Sequence, residues 1–190
     1  MKWLWFYKTP PILVPLSILK NYRGFYIPSY SEYPDLIVPS GKYDICDSFD
    51  FDFPETDFDR ACSFQDKKDL HLLDIEGGQA LVLSSPYRLG IHKESNCIIS
   101  EEGNFASNKR NDELERLLSG LSLLTLCPDD SMEWKIPGPL QLMSSTEHGE
   151  NPYIKDSDFD IFKLEAGLYR IDSYTINRED FNLNVYHFHK

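Results

Sequence analysis

Short apolar runs separated by turn-forming residues dominate the later two thirds of the chain. Leu70–Ile75, Ala80–Leu83, Tyr87–His92, Cys97–Ser100, Met132–Ile136, Leu140–Ser144, Phe159–Leu164, Leu168–Tyr174 and Phe181–Phe188 are rich in β-branched or aromatic residues, which suit a pleated, half-buried surface. Glu76-Gly77-Gly78, Ser85-Pro86, Glu102-Gly103-Asn104, Pro137-Gly138-Pro139 and Ala166-Gly167 punctuate them. Glycine reaches backbone angles closed to other residues, and proline presets a turn. The last run alternates, with Phe181, Leu183 and Val185 on one face and Asn182 and Asn184 on the other. Connections this short predict antiparallel pairing.

Helical periodicity is scarce. Leu114, Leu117, Leu118 and Leu121 recur at helical spacing, which predicts a helix over Asp112–Ser119 with one apolar stripe facing the sheet. Asn111 or Asp112 caps it and Gly120 ends it. A shorter helix is predicted over Leu16–Tyr22, with Pro15 as its first residue and Gly24 as its stop. Asp57–Cys62 reads as a turn, and Gly77–Leu83 as a turn feeding a buried strand. The expected fold class is α+β: predominantly antiparallel β-sheet with one or two short helices packed on it. The 190 residues suit one domain with a substantial core.

Residues 26–55 depart from this pattern. Phe49, Phe51 and Phe53 alternate with Asp50 and Asp52, so an extended chain would show rings on one side and carboxylates on the other. Asp44, Asp47, Glu55, Asp57 and Asp59 extend the acidic field, whereas Lys2, Lys8, Lys20 and Arg23 precede the first acid. Three uses are open: an ordinary strand, a recognition face for a basic partner, or a divalent-cation site. The alternation opposes the third, because only same-side aspartates converge. The net charge of −12 repels nucleic acid and anionic lipid and steers basic proteins inward.

Catalytic motifs are missing. There is no nucleophile elbow, no phosphate-binding loop and no zinc-protease helix. Cys46, Cys62, Cys97 and Cys127 are widely spaced and are expected as reduced thiols. His71, His92 and His148 are scattered, and His187-Phe188-His189 places two imidazoles on one strand face without a third ligand. No cofactor and no metal is expected. Arg60 is expected in an internal ion pair or a backbone contact. Lys8 and the prolines interrupt the opening aromatic run, so no secretory signal is expected, and no run approaches the length of a spanning helix. The expected compartment is the cytoplasm.

Three landmarks in this order carry a resemblance. The first is Trp3-Leu4-Trp5, the proline-framed run Pro11–Pro15, then Leu16–Tyr22 closed by Arg23-Gly24. The second is Asp57-Phe58-Asp59-Arg60-Ala61-Cys62, and the third Gly78-Gln79-Ala80-Leu81-Val82-Leu83. A weaker match runs through Asp112–Ser119, Trp134, Pro139–Leu142 and Ala166–Arg170. Together they resemble the immunity protein 21 family, bacterial proteins thought to neutralise toxin domains of polymorphic toxin systems. Lys8-Thr9-Pro10 stands where a glycine pair is expected, and the link from Gly24 to Asp57 exceeds the family pattern. The resemblance implies one immunity-protein domain over residues 1–190, with an acidic, aromatic insertion at 26–55. It further implies a non-enzymatic protein that occludes the active site of a cognate toxin domain by stoichiometric contact. Acidity suits a basic partner, a nuclease or a nucleotide-dependent transferase, and neither nucleic acid nor membrane. The contact residues expected are Phe49, Asp50, Phe51, Asp52, Glu55 and Asp57. The alternative is a small β-rich enzyme or ligand-binding protein with a pocket built from His71, His92 and the acids of Asp57–Asp59.

Overall fold

The computed structural model describes residues 3–6, 9–24, 56–64, 69–84, 88–102, 126–146, 149, 161–177 and 182–190. Their strands are β1 (Trp3–Trp5), β2 (Pro11–Pro15), β3 (Leu70–Ile75), β4 (Gly78–Leu83), β5 (Arg88–His92), β6 (Cys97–Glu102), β7 (Asp130–Ile136), β8 (Leu140–Ser144), β9 (Ile161–Phe162), β10 (Gly167–Asn177) and β11 (Asn182–His189). They form a six-stranded sheet in the order β1-β5-β6-β11-β10-β7 and a five-stranded sheet in the order β3-β4-β2-β8-β9. Every pairing is antiparallel. The fold is mostly antiparallel β-sheet, as the turn spacing predicts.

The two sheets pack face to face. Leu13, Leu81, Leu83, Leu142 and Phe162 from one meet Leu89, Ile98, Trp134, Tyr186 and Phe188 from the other. Each such side chain, fully buried, contributes about 1.5–3 kcal/mol of transfer free energy. The outer face of the five-stranded sheet is apolar too: Ile12, Val14, Leu73, Val82 and Met143 pack with Ile18, Leu19, Tyr22 and Ala61. The outer face of the six-stranded sheet carries a third cluster of Cys97, Ile99, Tyr174, Ile176, Leu183 and Val185, with Trp3 against it. Both sheets are thus buried on two sides over part of their area. This is why Val185 and Tyr186 are both buried and the alternation of the last strand breaks there.

Three expectations are corrected. Pro15 ends strand β2 instead of opening a helix, and Leu16 donates to Pro139 O at 3.0 Å. The stretch after it bonds three residues back (Ile18 to Pro15, Asn21 to Ile18, Tyr22 to Leu19), so Leu19–Asn21 is a tight 3-10 turn. Asp57–Cys62 is a helix, α1, and not a turn. Of Phe159–Leu164, strand geometry covers Ile161–Phe162 within the described residues. The helix expected over Asp112–Ser119 lies outside the described residues. Among those residues no helix is long and apolar enough to cross a membrane.

Candidate functional site

The three sequence landmarks meet on the outer face of the five-stranded sheet. β2, the 3-10 turn, α1 and β4 supply Ile12, Leu19, Ala61 and Val82 to one cluster. Helix α1 starts there because Thr56 and Asp59 form a reciprocal cap. The Thr56 Oγ1 accepts from Asp59 N–H at 3.4 Å, and Asp59 Oδ2 accepts from Thr56 N–H at 2.7 Å. Such a box satisfies two amide donors that a helix start leaves open. Thr56→Ala is expected to cost about 1 kcal/mol in a urea titration, and an unchanged midpoint would show that the cap does not hold the helix.

Asp57 clamps the two ends of the 25–55 segment. Its backbone N–H donates to Arg23 O at 3.0 Å, and its Oδ2 accepts the Arg23 N–H at 2.8 Å. Its Oδ1 pairs with the Arg60 guanidinium, which fulfils the internal role expected of Arg60. Asp57 was expected on the contact surface; it is buried instead, with both oxygens engaged. It therefore supports the segment that precedes it. Phe49, Asp50, Phe51, Asp52 and Glu55 lie outside the described residues. Nearby, Tyr22 donates to Ser145 O at 2.7 Å, and burial, reinforced by the Asp57 charge, pushes its phenol well above its ordinary range. Burial, then Asp59, drives the Cys62 thiol up to about 12, which leaves it unreactive.

A second polar cluster crosses the outer face of the six-stranded sheet. Strand register aligns His92, Cys97, His187, Asp172 and Ser131 in one row. Asp172 is buried, and accepts from Ser131 Oγ at 2.6 Å, Arg170 Nε at 2.8 Å and Tyr174 Oη at 3.4 Å. Burial works to raise its carboxyl, but the Ser131 and Arg170 hydrogen bonds outweigh it and hold the group below its usual range. His189 Nε2 stands 3.0 Å from Asp172 Oδ2. The His187 and His189 rings are 3.8 Å apart at 52°. Burial, then the neighbouring His189, lowers the His187 pKa against the pull of Asp172. Burial drives the Cys97 thiol to about 11, and it donates to Ser95 O at 3.2 Å.

This row lacks the order that nucleophilic catalysis needs. Ser131 gives its proton directly to the carboxylate, with no imidazole between. The alternative pocket is not assembled either. His71 lies on the five-stranded sheet, stacked on Phe64 at 4.4 Å, while His92 lies on the other sheet and contacts Ser95 Oγ at 2.6 Å. A cleft of about 320 Å³ at one end of the sandwich is lined by Ile18, Gly78, Gln79, Trp134, Lys135 and neighbours, without any of those histidines or acids. Among the described residues no group of three or more His, Cys, Asp or Glu side chains is arranged to hold a metal. Cys62, Cys97 and Cys127 are free thiols. Sequence reading noted the His187–His189 pair but not Asp172, whose role depends on pairing with β11. No family model, curated protein or solved structure matches the chain.

Proposed function

We propose that the protein is a cytoplasmic, non-enzymatic immunity protein that neutralises a basic toxin domain by covering its active site. The observation that carries this reading is the Arg23–Asp57 clamp. It joins the ends of residues 25–55, which hold seven acidic residues against Lys42, a net of −6 within the chain's −12. The stretch that carries half of the molecule's charge and eight aromatic residues thus leaves and rejoins the described scaffold at neighbouring positions. Carboxylates speed encounter with a basic protein, and desolvated rings slow its departure. The three landmarks that resemble the immunity protein 21 family supply the scaffold, and the α+β class belongs to this proposal. Phe49, Asp50, Phe51, Asp52 and Glu55 are the contact residues, and Asp57 acts through its bonds to Arg23.

The test is binding to the C-terminal domain of the toxin reading frame next to this gene. Asp50→Lys with Asp52→Lys should slow association roughly tenfold or more at low salt, while the thermal midpoint stays within a degree or so, as for most surface changes. Unchanged association would remove this face from the mechanism. Failure of the unaltered protein to bind the domain or rescue growth would remove the function itself.

A further inference from the structure

We propose that His187 and His189 form a two-imidazole chelate for one divalent transition-metal ion, tightest for copper(II). The pair sits two residues apart on β11, so both side chains leave the same face of the six-stranded sheet. Their ring centroids are 3.8 Å apart. Imidazoles bound to one ion through a nitrogen at about 2.0–2.1 Å have ring centroids roughly 4.5–5 Å apart, so the two rings must open by about 1 Å from their present contact to share an ion. His187 Nδ1 and His189 Nε2 are both buried and make no hydrogen bond within the protein, so a nitrogen on each ring is open to a ligand.

Asp172 has a different part. Its carboxylate already receives Ser131 and Arg170, and its free approach is toward His189 Nε2, 3.0 Å away. His189 Nε2 lies that close without making a hydrogen bond; a ring rotation that formed one would give the carboxylate–imidazole arrangement that orients a metal-binding histidine and leaves Nδ1 for the ion. Asp172 is therefore a positioning residue. The Cys97 thiol is directed to Ser95 O, and His92 is engaged by Ser95 Oγ, so neither joins the chelate. Arg170 is paired with Asp172 and stands opposite Glu133 on β7, which limits its repulsion of an incoming ion. A two-imidazole donor set favours copper(II), then nickel(II) or zinc(II), over magnesium or calcium.

The experiment is calorimetric titration of the full chain with copper(II) and with zinc(II), beside His187→Gln, His189→Gln, Asp172→Asn and, as control, His92→Gln. One saturable site per chain is expected. Each chelate substitution should weaken it by roughly tenfold or more, Asp172→Asn by about 10–100-fold, and His92→Gln not at all. Copper(II) electron paramagnetic resonance of the unaltered protein should show two equatorial imidazole nitrogens, a readout that survives if a variant does not fold. Unchanged affinity in both histidine variants, or a spectrum without two imidazole nitrogens, overturns the proposal.

Discussion

Gly149→Ala is expected to cost more than about 4 kcal/mol, or to prevent folding, a magnitude reserved for a few severe mechanisms. A Cβ on Gly149 would stand 1.6 Å from Leu19 O and 2.6 Å from Leu19 C. Those atoms belong to the backbone of the 3-10 turn and cannot rotate away like a side chain. Gly149 also donates to Tyr22 O at 3.1 Å, so moving it outward breaks a bond as it relieves the clash. Tyr22 itself is fully buried and tied to Ser145, which ties the turn to the end of β8. The comparison is Gly138→Ala, where φ is +152° but no atom lies within 4 Å; backbone strain alone should cost about 1–3 kcal/mol. Urea titration of both proteins separates the mechanisms. Equal losses would mean that Gly149 does not approach the turn as closely as described.

Glu101→Leu is expected to cost about 3–5 kcal/mol, because it removes the carboxylate that pairs with the buried Arg88 guanidinium. The pair is deeply placed, with side-chain exposures of 8% for Arg88 and 1% for Glu101, and Arg88 Nε donates to Glu101 Oε2 at 2.9 Å. Register sets the two residues directly opposite each other on β5 and β6. The guanidinium also lies 4.4 Å from the centre of the Trp3 ring, which favours a planar cation there. Desolvation cancels most of the attraction within an intact buried pair, so the double variant Arg88→Met, Glu101→Leu should recover most of the loss. Stability of the two single variants and the double variant, read as a cycle, tests this. A double variant no better than the single one would show that the pair contributes net stability.

Much of the fold was legible because its signals are local. Val, Ile, Leu and aromatic residues between turn formers located strands such as Leu140–Ser144 to the residue. Gly77, at φ +90°, makes the turn that its neighbours announced. Helix α1 was missed because six residues are too few for a periodic apolar stripe. Its signal was the Thr56-to-Asp59 spacing of a capping box, with Asp standing where Glu or Gln is usual. Pro15 was misplaced because proline suits a helix start and a strand end equally well. The polar site was half legible: two residues on one strand declare their shared face, but their carboxylate partner sits on another strand.

The sequence by itself determined the strand-rich character, most of the turns, the antiparallel pairing and the concentration of acid and aromatic residues in 26–55. These follow from periods of two and from side-chain type within a few neighbouring residues. Only the tertiary structure decided which strands are buried on both faces, why Gly149 admits no side chain, and that Asp57 closes a clamp. It likewise brought Arg88 to Glu101 and Asp172 to His189. Those facts depend on register and sheet order between residues far apart in the chain, which no local pattern specifies.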